Sequence, residues 1–324
     1  MSKLNLIKAP IKEEMKLFED YFRKSMKSST PILDIITRFI LRSKGKQMRP
    51  MLVFLSAGMH GSIQDSTYHA AALIELMHTA TLTHDDVVDN SNFRRGFFSI
   101  NALWKNKIAV LIGDYLLARG LLLSVKHKEF ELLEVVSRAV DQMSQGELLQ
   151  IEKARKLNID ESVYFKIIEQ KTATLIAACA KAGAKSVKAS GEVVADMEQF
   201  GLDLGMAFQI KDDLFDYESS GITGKPSGND IQEKKMTLPL IYAKNHVSIV
   251  QKRSILKLLK KRHKTKKEVD ELIKLVEITG GIEYARKKMM DYKDKALATL
   301  NKYPDSPYRK SLVELVEYTV MRRK

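Results

Sequence analysis

Residues 71–89 read AALIELMHTATLTHDDVVD. Apolar side chains recur in this stretch at helical spacing, among them Ala72, Ile74, Leu76 and Met77. The pattern predicts a long apolar helix that ends in carboxylates. In such a helix Asp85 and Asp89 are one turn apart and share a face, and Asp86 lies beside them.

Three carboxylates this close together predict a metal site. Like charges repel one another, and a bound hard cation removes that repulsion. Mg²⁺ prefers a few carboxylates combined with phosphate oxygens. A solvated acidic helix end is the alternative explanation as long as this motif is considered alone.

A second acidic motif strengthens the metal interpretation. Residues 208–216 read FQIKDDLFD, so Asp212 and Asp216 are again one turn apart, with Gln209 and Asp213 on the adjoining stripe. Two Asp-Asp-x-x-Asp motifs on apolar helices of one basic chain are poorly explained by chance. If the two helices face each other, their carboxylates can hold several Mg²⁺ ions on one diphosphate.

Basic residues accompany both motifs. Lys and Arg total 54 against 40 Asp and Glu, and the net charge of +14 suits phosphorylated small molecules, nucleic acid or an anionic membrane surface. Guanidinium and ammonium groups bind phosphate oxygens by charge-assisted hydrogen bonds. The candidate phosphate-binding residues are Lys46, Arg49, Arg94, Arg95, Lys171, Thr172, Lys225 and Lys235. For any single pair of them, an ordinary solvated surface is the alternative.

His78 lies seven residues before Asp85, which is two helical turns away on the same stripe. This alignment favours contact with a diphosphate, and a core or capping histidine is the alternative. The pair His84-Asp85 also raises the possibility of a metal phosphohydrolase. The remaining histidines form no obvious second metal-binding motif, which argues against that class.

The sequence predicts an all-α protein. It has only 7 prolines and 16 glycines in 324 residues, and no stretch alternates apolar and polar residues long enough to resemble a strand. No repeat or interdomain linker is visible, so residues 1–324 are expected to form one domain, with an N-terminal helix at 1–30 and the core at 31–324. Helix breaks are predicted at Gly61, 90–96, near Asn158, 183–186 and 219–228.

The chain is expected to be soluble and cytoplasmic. Cys179 is the one cysteine, so no intrachain disulfide can form, and its apolar neighbours indicate a small core residue. Residues 1–10 lack the apolar stretch of a signal peptide, and no segment approaches the roughly 18 apolar residues that a spanning helix needs.

A run of basic residues extends over 252–267. It is typical of a solvated helix face and the turn that follows, and contact with an anionic membrane surface is the alternative. Nucleic acid is not expected as a partner, because no aromatic side chain is interleaved in the run to stack on bases.

The motifs, taken in order, resemble those of the trans-prenyl diphosphate synthases of the polyprenyl synthetase family, from about Leu33 onwards. They are Gly-Lys-x-x-Arg-Pro at 45–50, the acids at 85–89, Arg94-Arg95-Gly96, Gln145-Gly146-Glu147, Lys171-Thr172, the acids at 212–216, and Gly224-Lys225 through Lys235. Lys234, where many relatives have glycine, and Phe215, in place of a common leucine, are small departures that remove no charged ligand.

The resemblance implies a single large helical bundle of the isoprenoid synthase type with a central apolar cavity, and a homodimer. Isopentenyl diphosphate would be bound by Lys46, Arg49, His78 and Arg95. The allylic diphosphate would be bound or surrounded by Arg94, Lys171, Thr172, Gln209, Lys225 and Lys235. Three Mg²⁺ ions would be held mainly by Asp85, Asp89 and Asp212, with support from Asp86, Asp213 and Asp216; these six acids and Lys171 would be catalytic.

The resemblance also implies head-to-tail condensation of isopentenyl diphosphate with an allylic diphosphate, for a quinone side chain. The product is expected to be all-trans and long, hexaprenyl to decaprenyl, with octaprenyl the best match, because Ala80 and Thr81 are small where short-chain members typically have an aromatic residue. Met77 need not close the path, and its floor is expected near Val136.

Several alternatives remain open at this point. A farnesyl or geranylgeranyl diphosphate synthase differs only in product length. A terpene cyclase is disfavoured by the motif at 45–50 and by Arg94-Arg95, because a cyclase needs no isopentenyl site. A non-catalytic subunit of a heterodimeric synthase is expected to have lost acids, whereas both motifs are intact here.

Overall fold

The computed structural model describes residues 3–42, 45–89, 91, 93–94, 97–157, 159–217 and 228–322, apart from the side chains of Arg94, Phe97 and Lys156. Helices make up nearly all of the secondary structure in these residues. The exception is a hairpin of two-residue strands, in which Phe93 pairs with Phe98 and Arg94 with Phe97. The predicted all-α class is confirmed.

The elements follow one another in this order: α1 (Lys3–Ile7), a 3₁₀ turn (Ala9–Ile11), α2 (Lys12–Ser25), α3 (Pro31–Arg42), α4 (Met48–His60), α5 (Asp65–Val88), β1 (Phe93–Arg94), β2 (Phe97–Phe98), α6 (Ile100–Lys126), α7 (Phe130–Lys156), α8 (Glu161–Ile168), a π-helical turn (Glu169–Ala173), α9 (Thr174–Ser186), α10 (Gly191–Phe215), α11 (Asn229–Gln232), α12 (Leu238–Asn245), α13 (Ile249–Lys260), α14 (Lys266–Ile278), α15 (Gly281–Leu300) and α16 (Pro307–Met321).

Two predicted boundaries need correction. The expected N-terminal helix over residues 1–30 consists of α1, the 3₁₀ turn and α2, because Pro10 has no N–H to donate and breaks the helix between them. The break expected at 183–186 lies a few residues later, since α9 continues to Ser186 and α10 begins at Gly191. Gly183 serves close packing instead: a Cβ there would collide with the Val53 carbonyl and the Ser56 side chain.

Contacts between Cα atoms divide the chain into two compact units. The first comprises residues 1–140, 178–198 and 303–312, and the second comprises 141–177, 199–302 and 313–324. Each unit is therefore built from separate stretches of sequence. The expectation of one domain over residues 1–324 stays a prediction.

In the first unit, helix α5 is buried along most of its length, as its apolar pattern predicts. Its neighbour α6 approaches closely at Gly120, where a Cβ would lie 3.2 Å from Leu73 and 3.3 Å from the sulfur of Met77. The aromatic rings of Phe54 in α4 and Tyr68 in α5 pack edge to face, with centroids 5.0 Å apart. This packing fixes the helix that carries the first acidic motif.

In the second unit, the core is formed by apolar side chains of α8, α10 and α12–α15. Small residues let α10 lie directly against the chain around the π-helical turn: a Cβ on Gly205 would lie 2.5 Å from Cα of Ala173, and one on Gly201 would lie 2.6 Å from Cα of Ala177. This close contact places the second acidic motif beside the turn.

Helix α6 corrects the expectation that no segment has the length and composition to cross a membrane. Among the described residues it is the one helix that passes this test, and 39% of its most apolar window is buried. Core helices of globular proteins share these properties. One charged residue in the window is engaged within the unit, because Arg119 Nε donates to the carbonyl of Ser25 at 2.8 Å.

The exposed face of α6 is also apolar. Its solvent-accessible side chains include Leu103, Val110, Leu111, Leu121, Leu122 and Val125. Isolated apolar residues are common on protein surfaces, but a row of them along one helix marks a surface suited to association.

The environments predicted from sequence for Cys179 and Lys264 have different outcomes. Cys179 is fully buried, and burial raises the pKa of its thiol to about 12, so the predicted core role is confirmed. Lys264 was expected on the solvated face of the basic run but is only 6% exposed. Its ammonium donates to the carbonyls of Gln232 (3.2 Å) and Lys261 (3.3 Å), which ties the turn before α14 to α11.

Candidate active site

The first acidic motif lies at the C-terminal end of α5, in the first unit. Asp85 is partly buried, Asp86 is only 3% exposed, and Asp89 is solvent-exposed. The backbone N–H of Asp89 donates to the Asp85 carbonyl at 2.8 Å, and that of Ser91 donates to the Asp86 carbonyl at 2.9 Å. The three carboxylates therefore project from an intact helix end and differ in how deeply they are buried.

Two residues that the sequence did not single out hold this helix end. Asn101 Nδ2 donates to the Asp86 carbonyl at 3.1 Å. Ser99 Oγ lies 2.5 Å from Asn101 Oδ1 and donates to the Ser91 carbonyl at 2.6 Å. Ser99 also caps the start of α6 by accepting from the N–H of Ala102. Its position before an apolar helix is the sequence signal that could have identified it.

The two histidines of α5 have different surroundings. His84 packs on α6, where its Nε2 lies 3.2 Å from the Val110 carbonyl and its ring occupies the space beside Gly113. His78 is 6% exposed and lines a cavity of about 120 Å³ in the first unit together with Asp86. The structure thus brings His78 and the first motif to the same cavity.

The predicted isopentenyl site is only partly described. The same cavity is lined by Gln47, which lies between Lys46 and Arg49, and also by Glu75 and Phe98. Lys46 is exposed, and Arg49 is partly buried near the start of α4. Arg95 and the side chain of Arg94 lie outside the described residues.

The second acidic motif ends α10 in the second unit, and its three carboxylates have distinct environments. Asp213 is 7% exposed, and both its oxygens are used within the protein. The Tyr164 hydroxyl donates to Oδ2 at 2.6 Å, and Gln209 Nε2 donates to Oδ1 at 2.9 Å. Burial raises the pKa of Asp213 to about 7, and the two hydrogen bonds oppose that shift.

Asp216 is also occupied by protein donors. Its Oδ1 accepts from the backbone N–H of Asn229 at 2.8 Å, and its Oδ2 accepts from that of Asp230 at 3.1 Å. The N–H of Gly228 donates to the Asp216 carbonyl at 3.0 Å. Burial raises the pKa of Asp216, and these backbone donors oppose the shift. Asp216 therefore fastens the start of α11 to the end of α10.

Asp212 differs from both. Its side chain is 38% exposed, and Oδ1 accepts from Arg322 Nη2 at 2.5 Å. Among the described residues, Oδ2 has no hydrogen-bond donor. Burial raises the pKa of Asp212, and the positive charge of Arg322 opposes that shift. Among the three acids of this motif, and counting donors from the described residues alone, Asp212 is the one that presents an oxygen for a ligand.

The π-helical turn carries Lys171 and Thr172. The Lys171 ammonium pairs with Glu147 Oε2 at 2.5 Å and donates to Gln150 at 3.3 Å. The Thr172 hydroxyl donates to Gln209 Oε1 at 2.8 Å. Because Gln209 in turn donates to Asp213, a chain of hydrogen bonds connects the turn to the second motif.

The Gln145-Gly146-Glu147 motif of α7 acquires a physical explanation from this packing. A Cβ on Gly146 would lie 2.8 Å from the backbone nitrogen of Lys171, so only glycine allows α7 to approach the turn. That approach is what brings Glu147 within ion-pair distance of Lys171. The motif therefore positions the Lys171 ammonium.

A second cavity of about 120 Å³ lies in this unit. Its polar lining comprises Gln150, Tyr164, Lys171, Thr172, Gln209, Asp213, Asp230, Lys235 and Thr237. Lys235 Nζ lies 2.6 Å from Glu233 and 3.7 Å from Asp230. Lys225 lies outside the described residues. The structure therefore gathers Lys171, Thr172, Gln209 and Lys235 around one cavity, and their binding of the allylic diphosphate stays a prediction.

Sequence reasoning missed Tyr164 and Asp230. Tyr164 is fully buried and lies 49 residues from its partner Asp213, so no local pattern connects them. Asp230 lies in α11, and burial raises the pKa of its carboxyl while Lys235 opposes the shift. Its position between Gly228 and Lys235 was the available signal.

The two acidic motifs belong to different units, so their predicted face-to-face arrangement stays a prediction. Within the described ranges, no three His, Cys, Asp or Glu side chains converge closely enough to hold a metal ion by themselves.

The predicted chain-length residues lie in the first unit. Met77, Ala80 and Val136 are buried, at 6%, 0% and 0% exposure. The hydroxyl of Thr81 donates to the His78 carbonyl at 2.9 Å. Neither cavity described above is lined by Ala80 or Thr81, so the product tunnel beside them stays a prediction.

Comparison with known proteins extends these observations. The sequence model of the family described as Polyprenyl synthetase matches residues 30–276. Octaprenyl diphosphate synthase of Escherichia coli K12 is 34% identical over 303 residues, covering 92% of this chain and 93% of that protein.

Solved structures agree with the sequence match. A decaprenyl diphosphate synthase from Rhodobacter capsulatus superposes with a TM-score of 0.93 at 34% identity, covering 98% of each chain. A geranylgeranyl pyrophosphate synthase from Bacteroides thetaiotaomicron superposes with a TM-score of 0.85 at 38% identity, covering 99% of this chain and all of the other. Since the family match spans most of the chain and the fold agrees over its full length, this chain belongs to the polyprenyl synthetase family.

Proposed function

We propose that the protein is a trans-prenyltransferase that condenses isopentenyl diphosphate head-to-tail with an allylic diphosphate and releases diphosphate. The observation that carries this proposal is the cavity of the second unit, where two ammonium groups, Lys171 and Lys235, share the lining with Asp213, the neighbour of Asp212 in the second acidic motif. That combination suits a diphosphate bound through both cationic side chains and a metal.

Mg²⁺ fits the donors that are present. Asp85, Asp89 and Asp212 offer carboxylates with solvent access, and Asp212 keeps one oxygen without a protein donor in the described part of the chain. These three acids would hold three Mg²⁺ ions together with the substrate. The bound metal would supply neutralisation of the negative charge that gathers on the leaving diphosphate.

The protein's own side chains orient the two substrates and stabilise the leaving diphosphate. Lys171 and Lys235 bind diphosphate oxygens and favour departure of the diphosphate from the allylic carbon. Glu147 fixes the direction of the Lys171 ammonium, and Thr172 and Gln209 hold the wall of the cavity. The double bond of isopentenyl diphosphate attacks the allylic cation, and the proton then leaves to the departing diphosphate. The helices position both substrates and exclude water.

The proposed product is a long all-trans polyprenyl diphosphate, hexaprenyl to decaprenyl and best matched by octaprenyl, for a quinone side chain. The small side chains at Ala80 and Thr81 support a long product. A short-chain synthase remains the alternative function, because the similarity to a geranylgeranyl pyrophosphate synthase is as strong by identity as that to long-chain enzymes.

The apolar face of α6 supports a homodimer, since burying that face against a second copy removes it from water. A cytoplasmic location is part of the proposal. Peripheral contact with an anionic membrane for product release would use α13, where Lys252, Arg253, Lys257 and Lys260 are exposed beside the exposed apolar side chains Ile249 and Val250. A non-catalytic subunit of a heterodimer is the alternative assembly.

The test is incubation with labelled isopentenyl diphosphate, Mg²⁺ and an allylic primer, followed by sizing of the products. We expect a long-chain product from the parent protein. Asp85→Ala and Asp212→Ala should each lower turnover by about 10³-fold or more with the fold intact, because each removes a carboxylate that stabilises the transition state. Unchanged rates at saturating Mg²⁺ would contradict the metal assignment, and no prenyl transfer by the parent would favour the non-catalytic subunit.

A further inference from the structure

Arg322, which follows α16, is bound at the second acidic motif. Its Nη2 donates to Asp212 Oδ1 at 2.5 Å and to the Phe208 carbonyl at 3.3 Å. Its guanidinium lies over the ring of Phe208, 4.1 Å from the centroid, and 5.4 Å from that of Phe215. The side chain is only 15% exposed. All these partners belong to the second unit, and together they hold Arg322 in a largely buried position, unlike an isolated ion pair on the surface.

The contact places a positive charge on Asp212, which is the one carboxylate of this motif with an oxygen available to a ligand in the part of the chain that the structure describes. Asp213 and Asp216 are held by hydroxyl, amide and backbone donors, which carry no charge. A second cation on Asp212 would sit within a few ångströms of the guanidinium, in a place where partial burial limits screening by solvent. Two cations on one partly buried carboxylate repel each other.

We propose that Arg322 is a built-in counter-cation that competes with Mg²⁺ for Asp212, so that metal loading releases the Arg322 side chain and loosens the last turn of α16. The inference rests on the proposed role of Asp212 as a metal ligand. Arg322 is held by the Asp212 carboxylate, by the carbonyls of Phe208 and Thr319, and by two aromatic rings. Because Arg322 ties the end of α16 to α10, its release lets the last turn of α16 open and needs no rearrangement of the other helices.

The experiment measures metal binding directly, without substrate or turnover. Mn²⁺ is titrated into the full-length protein, and the free ion is followed by electron paramagnetic resonance. Arg322→Gln removes the charge and keeps a hydrogen-bonding amide, and Arg322→Lys keeps the charge. Arg286→Gln is the matched control, because it removes one positive charge from an exposed pair with Glu283 in the same unit.

We expect Arg322→Gln to bind its first Mn²⁺ about fivefold more tightly than the parent, as expected for removing a competing ion pair. Arg322→Lys and Arg286→Gln should stay within about twofold of the parent. Hydrogen exchange supplies a second readout: Mg²⁺ should accelerate exchange at residues 319–322 in the parent. In Arg322→Gln these amides should exchange fast with or without metal.

Unchanged or weaker Mn²⁺ binding by folded Arg322→Gln would overturn the inference and make Arg322 a support for Asp212. If that variant does not fold, the exchange of residues 319–322 in the parent decides: no acceleration by Mg²⁺ overturns the inference. The variant Asp212→Asn distinguishes a failure of the metal assignment from a failure of the proposed competition. If it leaves Mn²⁺ affinity unchanged, the metal assignment itself fails; if it weakens binding while Arg322→Gln does not tighten it, only the competition is wrong.

Discussion

At the residue scale, each aspartate of the second acidic motif has a different structural role. Asp213 fixes a buried hydrogen-bond chain through Tyr164 and Gln209, and Asp216 anchors α11 through backbone donors. Asp212 alone presents an oxygen toward a ligand in the described structure. The ranking of Asp212 above its two neighbours came from a family resemblance, and the hydrogen bonds give it a physical reason.

Ala80 allows a test of product length. Its side chain is fully buried on α5, about 8 Å of helix rise before Asp85. Ala80→Phe should block a product that grows along α5 and shorten it to farnesyl or geranylgeranyl length. Chromatographic sizing of labelled products checks this.

A phenylalanine at a fully buried site also risks overpacking, which costs about 1–3 kcal/mol. Ala80→Leu provides a graded variant, and Thr81→Val keeps the side-chain size as a control. Thermal unfolding separates a blocked path from a damaged core. A stable Ala80→Phe protein that makes the parental product would show that the path does not run past this residue.

At the scale of elements, the basic run over 252–267 contains the exposed lysines of α13 and the buried Lys264. Lys252, Lys257 and Lys260 are exposed on α13, and changing all three to Gln should leave turnover in detergent unchanged. Binding to vesicles of anionic phospholipid should weaken by at least about tenfold, because each lysine near such a surface contributes about 1 kcal/mol. Vesicle sedimentation measures this.

Two controls sharpen that comparison. Changing the exposed Lys12, Lys16 and Lys24 of α2 to Gln removes the same charge and should leave vesicle binding much closer to the parent. Lys264→Gln should instead lower the free energy of unfolding by about 1–3 kcal/mol, since it removes a buried donor to Gln232 and Lys261. Equal loss of vesicle binding in both triple variants would assign the attraction to net charge alone.

Helices with one apolar stripe, such as α14 with Val269, Leu272 and Val276, could be predicted from sequence because their spacing alone specifies the buried face. The π-helical turn could not, since Glu169–Ala173 has the composition of an ordinary helix and the extra residue depends on packing against α10. The acidic motifs were predictable as motifs. Their hydrogen-bond partners Tyr164 and Asn229 were not, because those contacts arise only from the tertiary fold.

At the scale of the whole molecule, the exposed apolar face of α6 should define the assembly. We expect light scattering at micromolar concentration to give twice the 36.8 kDa mass of one chain. Leu122→Asp places a charge on this face, where the leucine is 61% exposed, and should produce a monomer. Ile278→Asp, at an 82% exposed position of α14, is the matched control and should remain dimeric. A parent protein that is monomeric throughout would rule the homodimer out.

The π-helical turn has a consequence for the numbering of positions along its helix. The chain from Glu161 to Ser186 is continuous in direction, but the turn at Glu169–Ala173 inserts about one residue more than an α-helix would use. Positions before and after it are therefore out of phase by about 100° around the axis. A deletion of one residue there would restore a regular helix while rotating every side chain on one side of it. The direction of the Lys171 and Thr172 side chains depends on this single extra residue. A segment grafted from a protein without it would contain the same residue types, but their side chains would face different neighbours.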